Sequence, residues 1–142
     1  MAPKLAGRLT PLGLFQRARL LLDTPADIPL ALKIGYFIYR TPTALAGLTL
    51  PGFLSRVQSA PRPAARDLRA ATEKIVRIRE AWLRRSFLRT HDTCYVRALT
   101  LYRFLDPGGR NVRIHFGVEE RANATERLRG HAWVTVDGQL LE

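Results

Sequence analysis

The hydrophobic pattern of this chain changes period once, and that change decides what it can fold into. Leu68, Ala71, Ile75, Ile78 and Trp82 recur at spacings of three, four, three and four, which is a single apolar stripe on an α-helix. Past Asn111 the period falls to two: Val112, Ile114, Phe116 and Val118 alternate with polar or small residues. That is a strand with one buried face. Helices first and a small antiparallel sheet afterwards make an α+β chain.

The remaining elements follow from local signals. A short amphipathic helix is expected over 12–22 and a more apolar one over 26–40. The segment 41–63 carries Pro42, Pro51, Pro61 and Pro63, so it reads as broken, with one short helix from 51 to 58. The striped helix is expected from Ala64 to Leu88, its Arg-rich faces in water. Cys94 to Leu105 reads as the next helix, with Asp92 or Thr93 as N-cap and Pro107-Gly108-Gly109 as its stop. A strand over Asn111–Val118, a charged loop over 119–130 and a second strand over His131–Val136 come next. Asp137-Gly138 is a hairpin signal, and Gln139 to Leu141 begins the return strand.

The chain divides into a helical, basic arm (1–63) and a core (64–142). Of the 23 Lys and Arg and 12 Asp and Glu, residues 91–142 hold seven of each kind, so the whole net charge of +11 lies before them. Such an excess speeds encounter with acidic partners, or simply solvates a helix surface. No recognised nucleic-acid motif accompanies it, and the aromatics do not interleave with the basic residues, so nucleic acid is not expected as a partner. The longest apolar run, Ile28 to Tyr39, contains Lys33 and falls short of the roughly 20 residues of a membrane span. The first residues form no signal peptide. One cysteine excludes an internal disulfide and a thiolate metal cluster, and makes a reducing, cytoplasmic setting the default. No cofactor or metal is expected.

That cysteine, Cys94, is the candidate nucleophile. A thiol attacks acyl carbons as the thiolate, and Cys94 falls in the first turn of its helix, where the dipole and the free N–H groups favour negative charge. The same N–H groups could hold an oxyanion. The alternative is a small hydrophobe on an apolar stripe with Ala98, Leu101 and Leu105. Three histidines could supply the base. His91 lies three residues before Cys94, where approach is awkward. His115 lies on the polar face of its strand and is expected to be solvated. His131 opens a strand, shares a face with Trp133 and is the best placed.

Thr93-Cys94-Tyr95-Val96-Arg97-Ala98-Leu99, then Phe116-Gly117-Val118, then His131-Ala132-Trp133-Val134 and a turn at Gly138 form an ordered set. It resembles the lasso-peptide leader peptidases, the microcin-processing cysteine proteases with a transglutaminase-like, papain-like core. The resemblance covers about 64–142. It implies a Cys-His-Asp triad, with Cys94 and His131 in the first two places, and removal of a leader from a ribosomally made precursor peptide. Residues 1–63 show no alternating strands of a fused winged-helix domain, so the resemblance is to the split type. That type works with a separate leader-binding protein and a lasso cyclase, and the basic arm would dock the leader or that protein. An acyl transferase on the same core, or a non-catalytic basic binding protein, are the competing functions.

The third place is open. Asp137 sits at the hairpin tip, about 20 Å from His131. With a two-residue turn, residue 133 faces 142 and Glu142 shares the face of His131; with a three-residue turn, residue 131 faces position 143. The family's acid lies twelve residues after its His, which favours the three-residue turn. The sequence stops one position short, so the expectation is that Glu142 or its terminal carboxylate substitutes, or that the sequence is clipped or impaired.

Overall fold

The computed structural model describes residues 24–58, 67–105, 111–119 and 129–141. Its order is helix α1 (Asp27–Gly47), α2 (Leu50–Gln58), α3 (Leu68–Leu83), a 3-10 helix (Ser86–His91), α4 (Cys94–Phe104), then strands β1 (Val112–Glu119), β2 (Arg129–Val136) and β3 (Gln139–Leu140). The three strands form one antiparallel sheet in the order β1-β2-β3. The α+β architecture expected from the change of period is the architecture observed. The helix expected over 12–22 lies outside the described residues.

Three helix boundaries differ from expectation by several residues. α1 runs through Pro42 to Gly47 rather than ending at 40. A proline removes one backbone donor, but Ala44, Leu45 and Leu48 pack on the core beyond it, and Thr41 Oγ1 donates to the Phe37 carbonyl at 2.7 Å. α3 starts at Leu68, because Asp67 caps it by accepting from the N–H groups of Arg69 and Ala70 at 2.9 and 3.2 Å. It stops at Leu83, and the residues to His91 tighten into the 3-10 helix. β2 begins two residues before His131.

The core joins the helices to the sheet. Ile34 and Ile38 of α1, Phe53 and Val57 of α2, Ile75, Ile78 and Leu83 of α3, Leu99 and Leu101 of α4, and Val134 and Val136 of β2 are buried in one cluster. Burying an aliphatic chain of this kind contributes about 1.5–3 kcal/mol, so the helices before 63 are held to the sheet-bearing part by ordinary packing. Gly35 is needed where α1 crosses α3: a Cβ there would run into the Trp82 ring, whose Nε1 donates to the Ala31 carbonyl at 2.8 Å. The Arg-rich side of α3 is not wholly in water. Arg79 is fully buried, because a carboxylate and a backbone carbonyl meet its guanidinium.

The hairpin settles the strand register. Val136 pairs with Gln139 and Thr135 with Leu140, leaving Asp137 and Gly138 as a two-residue turn with φ of 51° and 82°. Positive φ at both positions is the type I′ turn that matches strand twist. The three-residue turn favoured from the family spacing is not formed. The Asp137 carboxylate instead accepts from the Asn111 N–H at 3.0 Å, at the far end of β2 from His131.

Candidate active site

Cys94 occupies the first position of α4. Thr93 caps the helix: its Oγ1 accepts from the Val96 N–H at 3.3 Å, and its carbonyl accepts from the Arg97 N–H at 3.0 Å. The N–H groups of Cys94 and Tyr95 have no acceptor among the described residues. Two free donors therefore stand beside the thiol, at the positive end of the helix dipole.

The helix end is docked onto the start of β2 by a close contact. Tyr95 stacks on Phe116 of β1, with ring centroids 5.7 Å apart, and its hydroxyl end lies against Gly130, where a Cβ would collide with it. With no side chain in the way, the Cys94 thiol donates to the Gly130 carbonyl at 3.4 Å. The thiol thus touches the backbone one residue before His131.

Cys94, His131, Arg97, Ala98, Leu101, Ala132 and Val134 line one cavity of about 110 Å³. The structure brings the two site residues expected from sequence to this cavity, but no hydrogen bond joins their side chains. Strand alternation explains the separation. Ala132 and Val134 point to α4 and are buried, so His131 leans to the other face. There it stacks on Trp133 at 5.7 Å. Trp133 also stacks on His115, at 5.4 Å and nearly parallel. Gly117, opposite His131 in the register, leaves room for the indole, since a Cβ would lie 3.0 Å from it.

The other two histidines are engaged elsewhere. His115 is half-buried rather than solvated, with Nε2 2.8 Å from Thr135 Oγ1. His91 stacks on Tyr39 of α1 at 6.3 Å and lies 3.2 Å from Thr90 Oγ1 through Nδ1. Neither lines the cavity. Glu142 lies outside the described residues.

Sequence reasoning missed a charged cluster behind Cys94. Arg97 donates to Glu80 through Nη1 and Nη2 at 2.6 and 3.2 Å, and to Asp92 through Nε and Nη2 at 2.6 and 3.2 Å. Hydrogen bonding to Arg97 holds the Asp92 carboxyl below the usual carboxylate range, against the opposing effect of burial. The same pairing with Asp92 raises the Arg97 guanidinium further. Only the crossing of α3 and α4 brings Glu80 to Arg97, and no spacing rule on one helix announces that. No cluster of three metal-ligating side chains occurs among the described residues, and none of their helices is long and apolar enough to cross a membrane.

A nucleophile-type residue at a helix N-terminus, docked on a small antiparallel sheet with a histidine at the adjoining strand end, is the arrangement of a transglutaminase-like core. A family model described as the transglutaminase-like superfamily matches residues 37–142, and the chain belongs to that superfamily. Its members are generally cysteine peptidases or acyltransferases. No curated protein and no solved structure shows a significant match to the chain.

Proposed function

We propose that Cys94 and His131 are the nucleophile and general base of a cysteine peptidase that removes the leader from a ribosomally made precursor peptide, as in lasso-peptide maturation. The observation that carries the chemistry is one cavity lined by both residues, at a helix end with two N–H donors that have no acceptor among the described residues. The leader-peptide substrate rests on the ordered resemblance from Thr93 to Val134.

In this reading the Cys94 sulfur attacks the carbonyl carbon at the leader–core junction while His131 takes the thiol proton. The N–H groups of Cys94 and Tyr95 hold the oxyanion. The tetrahedral intermediate collapses, the C–N bond breaks, and His131 returns the proton to the leaving amine. Water, deprotonated by His131, then cleaves the thioester and restores the thiol. His131 must first turn from Trp133 to the thiol, a side-chain rotation open to an exposed residue. Catalytic hydrogen bonds commonly tighten only once substrate is bound.

Superfamily membership equally supports an acyl transferase, in which an amine replaces water at the thioester. One experiment separates them. Purified chain is incubated with a cognate precursor and its leader-binding protein, and the products are weighed by mass spectrometry. Cleaved leader with a free carboxylate is the expected product, and Cys94→Ala abolishes it while the precursor still binds. A product carrying an added amine would establish the transferase. Cleavage retained in Cys94→Ala would end both readings.

A further inference from the structure

The chemistry just described makes no use of the four charged side chains behind the Cys94 turn. Arg79 is the innermost. It donates from Nη1 to the Arg97 backbone carbonyl at 3.1 Å, and from Nη2 and Nε to Glu80 Oε1 at 3.0 and 3.3 Å. The Arg97 guanidinium then bridges Glu80 on α3 and Asp92, with two hydrogen bonds to each carboxylate. Forked contacts of this kind fix direction as well as distance. Asp92 stands two residues before Cys94 and Arg97 three after it, so the bridge spans the turn on which the nucleophile sits. A fully buried arginine carries a large desolvation cost and adds little stability over an apolar replacement, so packing alone does not account for Arg79.

The geometry points to Arg97 and Asp92 as positioning residues of Cys94: seated on Glu80 and braced by Arg79, the Arg97 fork holds the 92–93 turn so that the thiol and the first-turn N–H groups face the cavity. This inference rests on the reading of Cys94 as a nucleophile. Arg97 also lines the cavity beside the thiol, so it acts through charge as well as shape. The charged and titratable groups around Cys94 are Arg97 and Tyr95 on its own helix, Asp92 in the turn, His131 on β2, and Glu80 and Arg79 on α3. The two arginines and two carboxylates sum to zero, and removing Arg97 leaves one negative charge next to a thiol that must ionise.

The test reads the thiol itself. The full-length wild type, Arg97→Met, Arg97→Lys and Asp92→Asn are alkylated with iodoacetamide across pH, the rate at Cys94 is followed by intact mass, and thermal unfolding is recorded beside it. The wild-type thiol is expected to react faster than a free cysteine at neutral pH. Arg97→Met should slow alkylation at pH 7 by about tenfold and move its profile to higher pH. Arg97→Lys keeps the charge without the fork and should recover part of the rate; it also carries the test if Arg97→Met does not fold. Asp92→Asn removes a negative charge yet releases the turn, and should slow alkylation all the same. Coincident variant profiles, or faster alkylation in Asp92→Asn, would overturn the positioning role and leave the nucleophile intact. A wild-type thiol no more reactive than a free cysteine would overturn the nucleophile and this inference together.

Discussion

The two faces of the sheet are built from alternate residues of the same two strands and do opposite things. On the side of α4, Val112, Ile114 and Phe116 of β1 and Ala132, Val134 and Val136 of β2 are apolar, and the β2 residues are buried. On the other side His115, His131 and Trp133 form a continuous ring stack, with Thr135 bonded to His115. One face supplies stability and the other carries the imidazole on which the proposed chemistry depends. Alternation alone would keep His131 away from a thiol on the α4 side. The two faces meet only at the strand end, where Gly130 has no side chain and Cys94 reaches its carbonyl.

The comparison is broken most severely on the buried face. Val134 is 1% exposed and part of the apolar core cluster, so Val134→Asp takes a carboxylate out of water and into apolar packing. Several kcal/mol against a total stability of about 5–15 kcal/mol leaves little folded protein. Circular dichroism should show no cooperative thermal transition. The neighbouring position on the other face should behave differently. Trp133→Leu removes two stacked aromatic contacts, each contributing about 0.5–1.5 kcal/mol. Denaturant unfolding should therefore show a loss of about 1–3 kcal/mol with the fold retained. If the two substitutions were equally damaging, the division of labour between the faces would be wrong.

What could be read in advance follows the same division. The alternation of β1, the Asp137-Gly138 turn and the helix opening at Cys94 are local signals, and the structure shows each. Pro42 misled because a lost donor is a local cost, while the burial of residues beyond it is a tertiary gain. Arg79 looked like part of a solvated face, since its partners lie on an adjacent residue and on another helix. Cys94 and His131 stand out in the sequence, and both line the same cavity. Pattern put His131 on the face of Trp133, but did not convey that this face is the one turned away from α4, where the two rings stack. The turn type was also misjudged: the family spacing favoured three residues, whereas Asp137 and Gly138 both take the positive φ that a two-residue turn demands.

Acid should sharpen the contrast least in size but most selectively, because its sensitive contacts lie among the helices behind the sheet. Asp27 accepts from Lys74 at 2.9 Å, joining α1 to α3, and from the Thr24 N–H and hydroxyl at 2.9 and 3.2 Å. Its carboxyl is held below the ordinary range, chiefly by the bond to Lys74. The unfolded chain therefore binds a proton at Asp27 more readily than the folded one does. The stabilisation is complete above the unfolded value, near about pH 4, and is lost as pH falls through the lower folded value. Asp92 has the same sign through Arg97, with a smaller share because its carboxylate is more exposed. Unfolding midpoints of the wild type should fall steadily as pH is lowered below about 4. Asp27→Asn should flatten that fall while leaving the pH dependence of Cys94 alkylation where it was. Equal acid sensitivity in wild type and Asp27→Asn would mean that the Lys74–Asp27 pair does not help to hold α1 to α3.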